Sequence, residues 1–241
     1  MMKIKTKYRS LAHWCRMNKL KWSSLVILWM ILVLIFYFMS ELEERPRATP
    51  NSRLNCQEVS TLHRKELFAL LATTTRLLDQ LRINHFLCFK SLWSAVLESG
   101  PFPWEINAHL CTLNNPGNDY DEPTLLRTFR KANLNLDYSS AEARYVISNM
   151  SLPGGSPTVQ VTVFEEDPRV GANIYRRVGW KRRLLPPNCD SHSSLQCFPA
   201  SLVALPLPLR TYGPLRLPAP RDNMELLKFH YPDIWHKPPT C

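Results

Sequence analysis

The chain has 241 residues, of which 45% are hydrophobic, and its formal net charge is +10. This length suits one folded domain with a sizeable core. Residues 1–22 contain seven basic residues and no acidic one, so +7 of the net charge belongs to this tail and +3 to the remaining chain. Most of the positive charge therefore belongs to the tail and not to the predicted domain. The high net charge gives no support to nucleic acid as a partner.

A long apolar stretch follows the basic tail. Residues 25–39 are all apolar or aromatic, and residues 22–40 are about as long as a bilayer core requires. Because the basic tail precedes this stretch, the positive-inside rule places the tail in the cytosol and the bulk of the chain across the membrane. The sequence therefore predicts a type II single-pass membrane protein with a signal anchor over residues 23–40. A cleaved signal peptide is the alternative, and the shortness of the span favours the endoplasmic reticulum or Golgi.

The rest of the chain divides into a stem and a lumenal domain. The stem covers residues 41–60, which include two prolines among polar neighbours, and the domain covers residues 61–241. Apolar periodicity predicts helices and strands in mixed order, which indicates an α/β domain. The predicted helices are 61–84, 90–99, 122–133 and 224–231, and the predicted strands are 85–89, 105–110, 144–148 and 158–164.

The stretch from residue 90 to residue 113 carries the first candidate site. After a helix that Gly100 and Pro101 terminate, an extended run places Glu105, Asn107 and His109 on one face, because strand side chains alternate. A carboxylate, an amide and an imidazole are all possible metal ligands. This face is a candidate metal site, and a solvated strand face is the alternative.

This stretch resembles the LicD family, which includes fukutin and fukutin-related protein. The family pattern of a helix start followed by Gly-x-x-Pro-Trp-Asp-x-Asp-x-Asp aligns with residues 90–96 and 100–109. The resemblance covers about residues 65–113 and 195–238, with weak matching between these ranges. The scaffold residues of the pattern are present, but Lys90 occupies the position of its first glycine. Glu105, Asn107 and His109 occupy the positions of its three aspartates.

The resemblance implies a nucleotidyltransferase-like mixed sheet with flanking helices, preceded by one transmembrane helix. It also implies transfer of phosphocholine or ribitol phosphate from a cytidine diphosphate donor. The substitutions weaken the expected metal site, since Mg²⁺ favours anionic oxygen ligands and this face carries one carboxylate instead of three. A neighbouring strand would supply another acid, but Gln160 or Thr162 occupies that place, and Glu165, Glu166 and Asp167 crowd the end of the strand.

A basic segment is the candidate phosphate site. Its side chains, together with Lys90, suit a nucleoside diphosphate or a phosphorylated glycan, and an exposed pair of strands is the alternative. The segment contains Arg176, Arg177, Lys181, Arg182 and Arg183.

Six cysteines follow the apolar stretch, an even number typical of an oxidising compartment. Cys189 and Cys197 bracket a short polar loop, which predicts a local disulfide, and zinc binding with His192 is the alternative. Asn149 lies in the sequon Asn-Met-Ser, so a lumenal domain would carry a glycan there.

Three functions are consistent with these features. The favoured one is a non-catalytic relative of the LicD transferases that binds a glycan or assists a glycosyltransferase. The second is a divergent transferase that uses Mg²⁺ or Mn²⁺ and a CDP-linked donor. The third is a membrane-anchored structural protein.

Overall fold

The computed structural model describes residues 26–34, 58–114, 121–152, 156–166, 173–186, 188–190 and 192–237. Residues 115–120 and 153–155, Asp167, all of the predicted cytosolic tail and most of the predicted stem lie outside this described part. The helices are α1 (Thr61–Gln80), α2 (Phe89–Leu97), α3 (Glu122–Lys131), α4 (Trp180–Arg183) and α5 (Asn223–His230). Two short 3-10 helices cover Ser193–Leu195 and Ala200–Val203.

Residues 26–34 also form a helix. Across the described ranges, no helix is both long enough and apolar enough to cross a membrane. This finding contradicts the prediction of a type II membrane protein with a signal anchor. Residues 23–25 and 35–40 of the predicted span lie outside the described part of the chain.

The domain is built on a mixed sheet with helices on both faces, as the sequence predicts for an α/β fold. Its main strand order is β1-β2-β5-β4-β3, with β6 pairing to β5 and β7 to β6. Only the pairing of β2 with β5 is parallel, and the other pairs are antiparallel. The strands are β1 (His85–Leu87), β2 (Asn107–Asn114), β3 (Leu134–Ser139), β4 (Arg144–Asn149), β5 (Thr158–Glu166), β6 (Ile174–Arg177) and β7 (Phe198–Pro199). A separate antiparallel hairpin contains β8 (Leu209–Tyr212) and β9 (Leu215–Pro218).

Alternation along the strands gives the sheet two different faces. On one face, Ile147 and Val161 lie beside Leu78 of α1 and Phe129 of α3. On the other face, Phe164 of β5 packs against Phe89 of α2 and His230 of α5. The polar residues of β2 share this second face, so α2 and α5 border the candidate site.

Several predicted boundaries differ from the structure by a few residues, and those of two strands bear on the candidate site. The first strand ends at Leu87 rather than at residue 89, because the extended Cys88 is followed by Phe89 with φ +50°, which turns the chain into α2. The strand predicted for residues 105–110 begins at Asn107 and continues to Asn114. Glu105 precedes it in a turn, where the Glu105 N–H donates to the Phe102 carbonyl over 3.0 Å.

Gly179 is required by its backbone conformation and by its neighbours. It has φ +123°, and an added Cβ would lie 2.3 Å from the Ala141 carbonyl oxygen. At Gly100, by contrast, the nearest atom to an added Cβ is 3.4 Å away, which is ordinary contact. Only the first of these glycines should therefore be irreplaceable.

We expect Gly179→Ala to lower the free energy of unfolding by at least about 2 kcal/mol, since it combines a strained φ with a backbone clash. Gly100→Ala should change it by less than about 1 kcal/mol. Urea denaturation of both variants measures the difference. Equal losses in the two variants would contradict the assigned conformation of Gly179.

Candidate functional site

The candidate site lies on the face of the sheet where β2, β5 and β4 are adjacent. In the parallel pairing, His109 of β2 is opposite Gln160 of β5. Arg144, at the start of β4, donates from Nη1 to Gln160 Oε1 over 3.0 Å. We use the term polar face for Lys90, Glu105, Asn107, His109, Arg144, Gln160 and Arg177.

Two of the three predicted metal ligands are engaged with neighbouring groups. Asn107 Oδ1 accepts hydrogen bonds from the Thr158 backbone N–H, over 3.2 Å, and from the Thr158 hydroxyl, over 2.8 Å. Glu105 Oε2 lies 3.9 Å from Lys90 Nζ, and the Glu105 side chain is 9% exposed. Burial raises the pKa of Glu105, although Lys90 and a backbone hydrogen bond from Asn107 oppose this shift.

His109 is held among positive charges. Burial is the main cause that lowers the pKa of His109 to about 4, and the charges of Lys90, Arg144 and Arg177 lower it further. The imidazole is consequently neutral at pH 7. The backbone N–H of His109 donates to Ser91 Oγ over 2.8 Å, which ties this part of β2 to α2.

These residues do not form a good site for a divalent cation. Within the described ranges, no group of three or more His, Cys, Asp or Glu side chains is placed to hold a metal ion. The only carboxylate of the polar face is paired with Lys90, and the three cations around His109 would repel a metal. We therefore derive no reaction step through Mg²⁺ or Mn²⁺.

The predicted basic segment separates into two pairs. Arg177 and Arg182 each donate to Glu142 Oε2 over 3.0 Å. Arg176 and Arg183 instead contact Glu165, at 3.3 Å and 3.6 Å. Successive side chains of β6 point to opposite faces, so Arg177 joins the polar face while Arg176 points away from it.

The Lys181 side chain lies outside the described part of the structure. The four arginines do not form one phosphate site. Of these, Arg177 is the one whose charge acts on His109. Its guanidinium also donates to Gln196 Oε1 over 3.1 Å and lies 5.9 Å from the centre of the Phe89 ring. The basic residues of the polar face are thus Lys90, Arg144 and Arg177, which come from three distant parts of the chain.

Sequence reasoning did not identify Arg144 or Glu142 as site residues. Glu142 lies in the turn between β3 and β4 and Arg144 begins β4, and β3 itself was not predicted. A pattern of alternating residues shows that Arg144 opens a strand, but it does not show which strand lies beside it. Only the pairing of β4 with β5 brings Arg144 to Gln160.

Two disulfides join cysteines within the described ranges. One joins Cys189 to Cys197, the pair for which the sequence favours a local disulfide, so neither thiol is available as a zinc ligand beside His192. The other joins Cys88, which directly precedes α2, to Cys111 of β2. This second bond is fully buried and links the helix that carries Lys90 to the strand that carries His109.

Comparison with known proteins shows no family match and a weak structural similarity. No family model and no curated protein matches the chain. Among solved structures, the chain is similar to the lincosamide antibiotic adenylyltransferase LnuA in its lincomycin-bound form. The TM-score is 0.40 with 10% sequence identity, over 73% of this chain and 90% of that chain. A similarity this low supports no argument about activity, and it does not bear on the resemblance to the LicD family.

A buried histidine beside the site makes stability depend on pH. His230 is stacked on Phe89 with ring centres 4.2 Å apart, and its Nδ1 accepts from the Phe89 N–H over 3.3 Å. Burial, aided by the charge of Arg177, lowers the pKa of His230 to about 3. Because the folded-state pKa is below the unfolded value of about 6.5, the unfolded chain binds the proton first, and stability is lost as the pH falls below about 6.5.

We expect the free energy of unfolding of wild type to fall between pH 7 and pH 5, with His230 contributing roughly 2 kcal/mol of the loss. His230→Phe should lower stability at both pH values, because the Phe89 N–H loses its acceptor, but the difference between the two pH values should shrink. Urea denaturation at pH 7 and pH 5 measures both quantities. An unchanged difference in the variant would show that His230 is not buried in its neutral form.

Proposed function

We propose that the polar face binds the phosphate groups of a ligand without a divalent metal. In this proposal the chain is a non-catalytic relative of the LicD transferases, and its ligand is a phosphorylated glycan or a CDP-linked donor. The mixed sheet with flanking helices is consistent with such a relationship. A glycosyltransferase that uses the bound ligand is the corresponding partner.

The charge of the polar face carries this proposal. Lys90, Arg144 and Arg177 surround a neutral His109, whereas Glu105 is the single carboxylate among the seven side chains. The formal charge of the polar face is therefore +2. Glu142 accepts hydrogen bonds from both Arg177 and Arg182. Because Glu142 and Arg182 carry opposite charges, including them leaves the net charge at +2.

The three cations have different roles. Lys90 is the most accessible, with 53% of its side chain exposed, and it can contact a phosphate oxygen directly. Arg144 is half-buried and is oriented by Gln160. The Arg177 side chain is 12% exposed and acts mainly through its charge, since Glu142 and Gln196 hold its guanidinium.

The same residues argue against phosphoryl transfer. In metal-dependent transfer, carboxylates hold a cation that bridges the substrate phosphates and neutralises the developing charge. Here Asn107 and His109 replace carboxylates on β2, and Gln160 stands beside them on β5. The fixed side-chain cations can attract a phosphate, but the set holds one carboxylate where a metal-dependent transferase uses several.

We expect the isolated protein to bind cytidine diphosphate in the presence of EDTA, with an affinity that falls as salt is added. Lys90→Met and Arg144→Gln should each raise the Kd by about tenfold or more, because each removes a charged hydrogen-bond donor. Isothermal titration calorimetry measures these constants.

Arg183→Gln is the matched control. It removes the same formal charge, but Arg183 pairs with Glu165 and is 64% exposed, apart from the polar face. Its Kd should stay within about twofold of wild type because distant exposed charges are screened. An equal loss in Arg183→Gln, or binding that requires Mg²⁺ or Mn²⁺, would contradict the proposal and favour a metal-dependent transferase or non-specific attraction.

A further inference from the structure

A cavity of about 260 Å³ lies on the opposite face of the sheet from the polar face. It is lined by Glu66 and Thr73 of α1, by Leu134 of β3, and by Asn149 at the end of β4. Leu70 and Leu152 complete much of the remaining wall. None of these residues contributes to the proposed phosphate site.

Asn149 combines two properties that no other residue of the chain shares. It belongs to the only Asn-x-Ser/Thr sequon in the sequence, and it is one of the residues that line this cavity. Its Oδ1 accepts from the Ser151 N–H over 2.9 Å, so the amide oxygen faces the turn. Ser151 is itself held by Asn133, whose Nδ2 donates to the Ser151 hydroxyl.

We propose that this cavity holds the first N-acetylglucosamine of an N-linked glycan on Asn149. The inference is independent of the proposed function, but it rests on the sequon being used. In that reaction a bond forms between Asn149 Nδ2 and C1 of the sugar. The bond from C1 to the pyrophosphate of a lipid-linked donor breaks, the lipid pyrophosphate leaves with the electron pair, and Nδ2 loses one proton.

The lining suits a sugar ring. Leu70 and Leu134 are buried and offer an apolar wall to the C–H face of the ring. Glu66 is half-buried and can accept hydrogen bonds from hydroxyl groups. Thr73 donates its hydroxyl proton to the Ala69 carbonyl over 2.9 Å, which leaves its oxygen lone pairs as acceptors.

The size of the cavity restricts its occupant to a single sugar. Sites for drug-sized ligands occupy about 300–1,000 Å³, and this cavity is below that range. The covalent bond to Asn149 supplies the local concentration that a small cavity could not achieve by affinity alone. The remainder of the glycan would extend into solvent.

The disulfides agree with the compartment that this modification requires. Bonds between Cys88 and Cys111 and between Cys189 and Cys197 persist in oxidising surroundings. N-linked glycans are added in the same surroundings, before the domain has folded. The half-buried position of Asn149 in the folded domain is therefore no obstacle to its modification.

The test uses the full chain produced in eukaryotic cells, and mass spectrometry first determines whether Asn149 is occupied. An endoglycosidase that cleaves after the first sugar then leaves a single N-acetylglucosamine. We expect this trimmed form to keep the Tm of the fully glycosylated protein. Asn149→Gln and Ser151→Ala, which prevent modification, should both melt about 2–4 °C lower.

Two further variants separate the sugar contact from other effects. Ser151→Thr preserves both the sequon and the hydroxyl, so its Tm should match wild type. Ala69→Trp places a large side chain at the cavity wall, where it should exclude the sugar. In this background, the single-sugar form and the double variant with Asn149→Gln should therefore have the same Tm. The inference would be overturned if Asn149 were unmodified, or if the single-sugar form had the same Tm as Asn149→Gln.

Discussion

The parallel pairing of β2 with β5 is the constraint on which the rest of the domain depends. It runs without interruption from Asn107 opposite Thr158 to Asn114 opposite Glu165. Because both strands alternate in step, one face of the pair is apolar and packs under α1 and α3, whereas the other presents His109 and Gln160. A shift by one residue would bury the polar set and expose the core, so this register fixes the polar face.

The polar face in turn depends on contacts from outside the two strands. Lys90 reaches it from α2, Arg144 from β4 and Arg177 from β6, and each is held by a partner of its own. Three cations gathered around one buried imidazole repel one another, and Glu105 and Glu142 offset part of this repulsion. An anionic ligand would relieve the remaining repulsion, which is the physical basis of the proposed function.

Much of the local structure could be predicted from the sequence. The apolar periodicity of α1, the glycine and proline that end α2, and the alternation in β2 and β5 are all short-range signals. The mixed α/β fold follows from their order. The separation of the basic segment into two pairs could not be predicted from the sequence. Neighbouring residues of β6 face opposite sides of the sheet, and they contact acidic residues that are distant in sequence.

The central claim is that phosphate binds at the polar face without a metal. A crystal structure of the protein grown with cytidine diphosphate and Mn²⁺, with data collected near the manganese absorption edge, tests it most directly. The account predicts phosphate density within hydrogen-bonding distance of Lys90 Nζ and the Arg144 guanidinium, and no anomalous peak between the phosphates and β2. An anomalous peak coordinated by Glu105 and Asn107 would contradict it and would identify a metal-dependent site.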